Sequence, residues 1–217
     1  MKTALVFGGT GLVGSNLIDE LFANKNYTAI KSFVRKPTGK KHEKLDEILI
    51  DFDDLEKYSA QFTGDELYIC LGTTIKKAGS VANMEKIDCN LPVNIAAVCL
   101  KNGVEKIAVV SSLGAKSKSK NYYLRIKGEM EDGILAQPFK NTVIVRPSIL
   151  YGKRNESRFA ETISKGAMHI FDKFLFGKFK KYRGIHARIV ARSMIKLLDS
   201  NTSQKIYESD TLQTTGA

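Results

Sequence analysis

The stretch GGTGLVGSNL, Gly8 to Leu17, follows directly on the apolar run Ala4-Leu5-Val6-Phe7 and sets glycines at positions 8, 11 and 14. An apolar run of that length reads as a buried strand, and the residues after it carry Val13, Leu17, Ile18, Leu21 and Phe22 at helical spacing. A strand that feeds a helix through bare backbone has a physical use. The first amide N–H groups of the helix lack intrahelical partners, and the helix dipole adds partial positive charge at the same place. A pyrophosphate satisfies both. Gly8, Gly11 and Gly14 at G-x-x-G-x-x-G spacing allow the tight turn, the approach of phosphate to backbone, and close packing of helix on strand. The motif predicts a dinucleotide site at the N-terminal end of the chain.

Working outward, strand signals alternate with helical ones. Strands are expected at Thr3–Phe7, Ala29–Val34, Ile48–Ile50, Glu66–Leu71, Lys106–Ser111, Thr142–Val145 and Lys205–Tyr207. Helices are expected at Val13–Ala23, Val81–Leu100, Tyr122–Ala136 and Arg188–Leu198, with Pro92 bending or dividing the second and Asn102-Gly103 stopping it. Alternation of this kind predicts an α/β fold, a doubly wound parallel sheet of Rossmann-like type, with a small irregular C-terminal lid region. Runs such as IAVV and VIV suit strands covered on both faces. Without a linker or an internal repeat, residues 1–217 read as a single dinucleotide-binding domain, with 150–184 as the substrate lid.

Which dinucleotide follows from the end of the second strand. An acid there would hold the adenosine ribose hydroxyls; the chain instead has Arg35-Lys36, which suits a 2′-phosphate and so NADP(H). Asp51, after the third strand, either accepts from the adenine amino group or caps the helical stretch behind it, and the residues leave both roles open.

The reaction is suggested further on. After Ser111-Ser112 comes Tyr123-Leu-Arg-Ile-Lys127, which sets a phenol and an ammonium one helical turn apart. Reducing a carbonyl by hydride requires a proton for the forming alkoxide. Tyr123 would deliver it, Lys127 would favour the ionised phenol and hold the nicotinamide ribose, and Ser112 (or Ser111) would orient the carbonyl.

Together GGTGLVGSNL, NLPVNIAAVCLKNGVEKIAVVSS (Asn90–Ser112), Tyr123/Lys127 and RPSILYG (Arg146–Gly152) resemble the atypical short-chain dehydrogenase/reductase superfamily over about residues 2–200. CLGTT (Cys70–Thr74), DFDDL (Asp51–Leu55), SSLGA (Ser111–Ala115), YLRIKGEME (Tyr123–Glu131) and NESR (Asn155–Arg158) are similar to the Tat-interacting oxidoreductase family. The resemblance implies cofactor contacts from Thr10, Gly11, Leu12, Val13, Arg35, Lys36, Leu71, Gly72, Tyr123, Lys127, Ile149 and Arg158, and a regulatory protein partner that these residues do not identify. Leu113 stands where many extended members have the catalytic serine. The chain also lacks the length of a full nucleotide-sugar substrate domain.

Composition sets the outer limits. The formal charge of +11 invites nucleic acid, but no helix-turn-helix, zinc-finger or RNA-recognition pattern accompanies it, so no nucleic-acid partner is expected. No apolar run reaches the length of an integral membrane segment, and no metal-ligand spacing is present. Cys70, Cys89 and Cys99 sit among apolar residues and read as core thiols, and no secretory signal opens the chain; both predict a cytoplasmic protein. The expectation is an NADP(H)-dependent oxidoreductase acting on a small carbonyl or alcohol. The alternatives are a non-catalytic NADPH sensor or scaffold, and an epimerase-like isomerase that recycles its cofactor. The run Ile170–Gly184 could line a substrate mouth or touch a partner or membrane surface; the preferred expectation is a helix with Phe171, Phe174 and Leu175 in the core and lysines in water.

Overall fold

The computed structural model describes residues 1–152, 177–200 and 202–217. Seven parallel strands form one sheet: β1 (Lys2–Phe7), β2 (Tyr27–Val34), β3 (Leu45–Leu49), β4 (Glu66–Ile69), β5 (Lys106–Val110), β6 (Asn141–Arg146) and, by their order in the chain, β9 (Ile206–Glu208). Their order is β3-β2-β1-β4-β5-β6-β9, so the chain reverses direction across the sheet between β1 and β4. A two-stranded parallel ribbon, β7 (Leu150–Tyr151) with β8 (Ile185–His186), stands apart from it.

Strand alternation sends the side chains of β1 to two separate cores. Ala4 and Val6 join a cluster with Val13, Leu17 and Leu21 of helix α1 (Leu12–Ala23). The same cluster takes Val190, Ala191 and Met194 of helix α6 (Ala187–Asp199). Leu5 and Phe7 face the other way, with Ile95 and Cys99 of α4 (Leu91–Lys101) and Ile126, Met130 and Ile134 of α5 (Tyr122–Leu135). Phe7 stacks on Phe33 at 4.4 Å between ring centroids, and Phe62 meets both edge-on. A sheet with apolar side chains buried on both faces must be covered by helices on both, which is the doubly wound architecture expected from the alternation.

The helical run over Val81–Leu100 is divided as expected just before Pro92, which lacks the N–H to continue the α-helical ladder and stands in the first turn of α4. Three local differences from the sequence reading have physical causes. The turn before α4, Lys86–Asn90, is π-helical and follows two short helices, α2 (Ile75–Ala78) and α3 (Val81–Glu85). The third strand runs over Leu45–Leu49 rather than Ile48–Ile50, because an edge strand with half-exposed residues carries little apolar signal. A polar terminal helix, α7 (Ser209–Gly216), has no periodicity to announce it and is held by burial of Leu212 and by the Ser193 hydroxyl donating to the Leu212 carbonyl. Gly103, at φ +86°, ends α4 as expected, with the Val104 N–H returning to the Cys99 carbonyl.

The three cysteines are free. Burial raises the Cys99 thiol to about 12 and the Cys89 thiol to about 11, which makes both inert core groups. Most of the expected lid, and with it Phe171, Phe174 and Leu175, lies outside the described residues; β7 and a 3₁₀ turn at Gly177–Tyr182 are its described parts. Among the described residues no helix is long and apolar enough to cross a membrane.

Candidate active site

The glycine turn leaves β1 at the carboxyl edge of the sheet, beside the end of β4. Gly8 has φ +88°, and a Cβ there would lie 2.6 Å from the carbonyl carbon and oxygen of Cys70. Gly14, in the first turn of α1, could carry no Cβ without striking the Gly8 carbonyl oxygen. Gly11 is the N-cap of α1, and no side chain bonds the N–H groups of the first helical turn. The amides of Leu12, Val13 and Gly14 are therefore available to an anion. Gly9, which the spacing did not single out, is also tight, though against side-chain ends: a Cβ would fall 2.7 Å from Ile18 Cδ1 and 2.8 Å from Ser32 Oγ. The turn is thus a glycine-lined cradle, seated on a helix N-terminus, and it fits a dinucleotide pyrophosphate. Thr10 is exposed beside it, whereas the Val13 side chain is buried in the core.

Arg35 and Lys36 follow directly on β2, which pairs with β1 as far as Phe7 and Phe33. Arg35 and Lys36 are both exposed, with no ion pair among the described residues. Asp51 follows β3 and accepts the Asp53 N–H at 2.9 Å; it caps a local turn, while the nearest helical turn starts only at Glu56. On the other side of β1, Leu71 and Gly72 leave β4 as loop, and Leu71 packs on the core.

Below Gly72 lies the feature that sequence reasoning missed. Lys127, only 4% exposed, faces Asp88, only 1% exposed, with Nζ 3.1 Å from Oδ2. Asp88 Oδ1 accepts the Thr73 N–H at 2.8 Å. A Cβ on Gly72 would lie 3.7 Å from Asp88 Oδ2 and 4.0 Å from Lys127 Nζ, so bare backbone covers the pair. The available signal was Asp88 itself, an acid within an otherwise apolar helical face, but only tertiary structure gives it Lys127.

Tyr123 is half-buried on α5, one turn before Lys127. The choice between the two serines is narrowed by bonding. Ser111 is buried and donates to Glu131 Oε1, which also receives Arg146 Nε at 2.9 Å, so its hydroxyl belongs to a closed network. Ser112 is half-buried, and among the described residues its hydroxyl meets only the Leu113 carbonyl, at 3.5 Å. Ile149 is half-exposed, its carbonyl accepting the Ile185 N–H at 2.9 Å. Arg158 lies outside the described residues. A further unpredicted neighbour is His186: it caps α6 through Nδ1, and its Nε2 and Leu12 Cδ1 flank Gly152, 3.4 and 3.5 Å from where a Cβ would stand.

Comparison with known proteins agrees with this geometry at the level of fold and family. The chain resembles solved structures of UDP-glucose 4-epimerase from Thermotoga maritima (TM-score 0.68, 17% identity, 98% of this chain and 80% of that one). It resembles ADP-L-glycero-D-manno-heptose-6-epimerase from Helicobacter pylori to a similar degree (TM-score 0.70, 18% identity, 95% and 76%). At these identities the likeness is one of fold. Among curated proteins, "Protein fmp52, mitochondrial" of Emericella nidulans is 33% identical over 174 residues, covering 76% of this chain and 74% of that protein. "Protein FMP52, mitochondrial" of Meyerozyma guilliermondii is 30% identical over 213 residues, covering 96% and 92%. Those names overturn the expectation of a cytoplasmic protein. It rested on core thiols and on the lack of a secretory pattern, and neither specifies a compartment. A family model described as NAD(P)H-binding matches residues 8–201. With that match, and with these relatives, the chain belongs to the NAD(P)H-binding family and has a Rossmann-like fold.

Proposed function

We propose that this protein is an NADP(H)-dependent oxidoreductase that interconverts a small carbonyl compound and its alcohol. The observation that carries the reading is a convergence. The Gly8 turn packs on Cys70, while Gly72, two residues later, covers Lys127. Two residues span at most about 7 Å, so an anion cradle and a buried cation lie one ligand segment apart, as the pyrophosphate and the nicotinamide-side ribose of one dinucleotide require. The cofactor, when bound, supplies or accepts hydride.

The chain's own groups do the rest. The amides of Leu12, Val13 and Gly14 hold the pyrophosphate, and Gly11 leaves them room. Arg35 and Lys36 hold the 2′-phosphate, with charged hydrogen bonds of about 1.5–3 kcal/mol. Lys127 holds ribose hydroxyls, Ser112 donates to the substrate oxygen, and Tyr123 gives or takes the proton at that oxygen. Asp88 largely cancels the field of the Lys127 ammonium, so the contribution of Lys127 is positional more than electrostatic. Thr10, Leu71, Ile149 and Arg158 complete the cofactor contacts by family resemblance, and Asp51, placed after β3, takes the adenine amino group with the carboxylate oxygen that does not cap the turn at Asp53.

The test is Tyr123→Phe, assayed by NADPH absorbance against a panel of small carbonyl compounds and by calorimetric titration. Turnover should fall at least about a hundredfold while NADPH still binds. Undiminished turnover would remove Tyr123 from the mechanism. Tight NADPH binding with no turnover of any carbonyl by the unmodified protein would favour a sensor instead.

A further inference from the structure

Five exposed lysines crowd the carboxyl edge of the sheet: Lys76 and Lys77 on α2, and Lys116, Lys118 and Lys120 on the loop between β5 and α5. None of them is in an ion pair among the described residues. Lysines elsewhere on the surface are matched, Lys40 with Asp19, Lys140 with Glu105 and Lys181 with Glu208. At this edge the chain supplies no match, since no acidic residue occurs from Leu71 to Met84 or from Ser111 to Gly128. Beyond those stretches Asp88 faces Lys127, and Glu129 faces Arg125 at 3.9 Å. Glu85, exposed at the end of α3, is a single charge against the five. Like charges gathered on one edge repel, so the rim lowers stability until a counter-charge comes to it.

The backbone fixes this rim beside the proposed reaction centre. β4 and β5 are adjacent and parallel, so the loops that leave them emerge side by side. The first loop carries Gly72 over Lys127 and then enters α2. The second loop starts at Ser112 and folds back on α5. The Ala115 N–H donates to the Ser112 carbonyl at 3.1 Å, and the Lys116 N–H to the Leu124 carbonyl at 3.0 Å. A Cβ on Gly128 would fall 2.7 Å from Lys116 Cα, so loop and helix touch backbone to backbone. Lys116 is thereby seated against the helical turn that carries Tyr123 and Lys127. Charges act on one another over about 8 Å at physiological salt, a range that takes in a small substrate at Tyr123. We propose that the carbonyl substrate is itself an anion, a carboxylate or a phosphate monoester, drawn in by this lysine rim. The inference deepens the function proposed above and rests on it. A lysine ammonium is a compact point charge that imposes no forked geometry, so both anions suit it.

The experiment uses the full chain, NADPH and aldehydes in pairs matched but for charge. Succinic semialdehyde and its longer homologues are compared with their methyl esters, and glycolaldehyde phosphate with glycolaldehyde. NADPH is common to both members of a pair, so its own attraction to the lysines cancels in the ratio. At low salt kcat/KM should favour the anion at least about tenfold, the lower end of electrostatic focusing, and the gain should fall in KM. The preference should shrink toward unity in molar salt, where screening acts within about 3 Å. It should shrink likewise in Lys116→Gln/Lys118→Gln/Lys120→Gln. A larger ratio in the ester series identifies a carboxylate, and a larger one in the phosphate pair a phosphate. A ratio near unity in both series overturns the proposal and leaves the oxidoreductase reading standing. So does an anion preference that persists in molar salt or in the triple variant. If the unmodified protein turns over no member of either series, the oxidoreductase reading falls and takes this inference with it.

Discussion

Gly11 and Gly14 stand three residues apart in one motif, and the structure asks different things of them. A Cβ on Gly14 would strike the Gly8 carbonyl and press on Gly9 Cα at 3.0 Å, so α1 would have to retreat from the turn. A Cβ on Gly11 would lie 3.2 Å from the Gly8 oxygen and 3.6 Å from the Cys70 oxygen, a tight fit that small shifts absorb, but it would stand at the N-cap where an anion must approach. Gly14→Ala should therefore destabilise the protein by about 1–3 kcal/mol, as overpacking does. Gly11→Ala should melt near the parent temperature and bind cofactor poorly. Circular dichroism melts and cofactor titrations on the two variants separate these outcomes; a Gly14→Ala protein as stable as its parent would contradict the packing described. The spacing made three of these glycines legible. It did not make Gly9 legible, because the Ser32 and Ile18 side chains that crowd a Cβ there come from elsewhere in the chain. Asp88 was hidden for the same reason, since its partner is 39 residues away.

Between elements, the join of α1 to α6 depends on one carboxylate. Glu20 accepts from Arg188 Nε through one oxygen and from Arg192 Nε, at 3.0 Å, through the other. Burial alone would raise its pKa, but the hydrogen bonds and charges of the two guanidiniums outweigh burial and hold it below its ordinary value of 4.5. A carboxyl lowered in the folded state adds stability above its unfolded value of 4.5, and that stability disappears as pH falls through the folded value. Because Arg188 is 55% exposed and Arg192 40%, the gain is modest, about 0.5–1 kcal/mol at low salt. Glu20→Gln should lose that amount in urea denaturation at pH 7, and the difference from the parent should close as the pH falls through the lowered folded value and in molar salt. A gap that persists under acid would assign the effect to packing. Element type was legible wherever periodicity was strong, as in Ala4/Val6 against Leu5/Phe7. It failed where order comes from tertiary contacts: the half-exposed β3, the polar α7, and the π turn that lets Pro92 sit in a first helical turn.

At the scale of the molecule, the strand order gathers the proposed binding groups at one edge. β1 lies between β2 and β4, so Arg35 and Lys36 flank the glycine turn on one side and Gly72 with Lys127 on the other. Strand–helix alternation was enough to read the α/β class, because a parallel sheet needs helices on both faces. Compartment was not readable, because composition records solvent and redox fitness and carries no destination. The gathered site also makes a prediction about the whole protein. A ligand that binds only the folded state at a hundred times its dissociation constant adds about 2.7 kcal/mol, and for a chain of this size each kcal/mol raises the melting temperature by about 2–4 °C. Saturating NADPH should therefore raise the melting point by about 5–11 °C, and NADH at equal concentration by clearly less. Arg35→Ala/Lys36→Ala should bring the two nucleotides together by lowering the NADPH shift. The same substitution should leave the unliganded melting point unchanged, since both side chains are exposed and make no ion pair among the described residues. Equal shifts from NADPH and NADH in the unmodified protein would mean that the basic pair after β2 reads no 2′-phosphate; the cradle would then serve either dinucleotide.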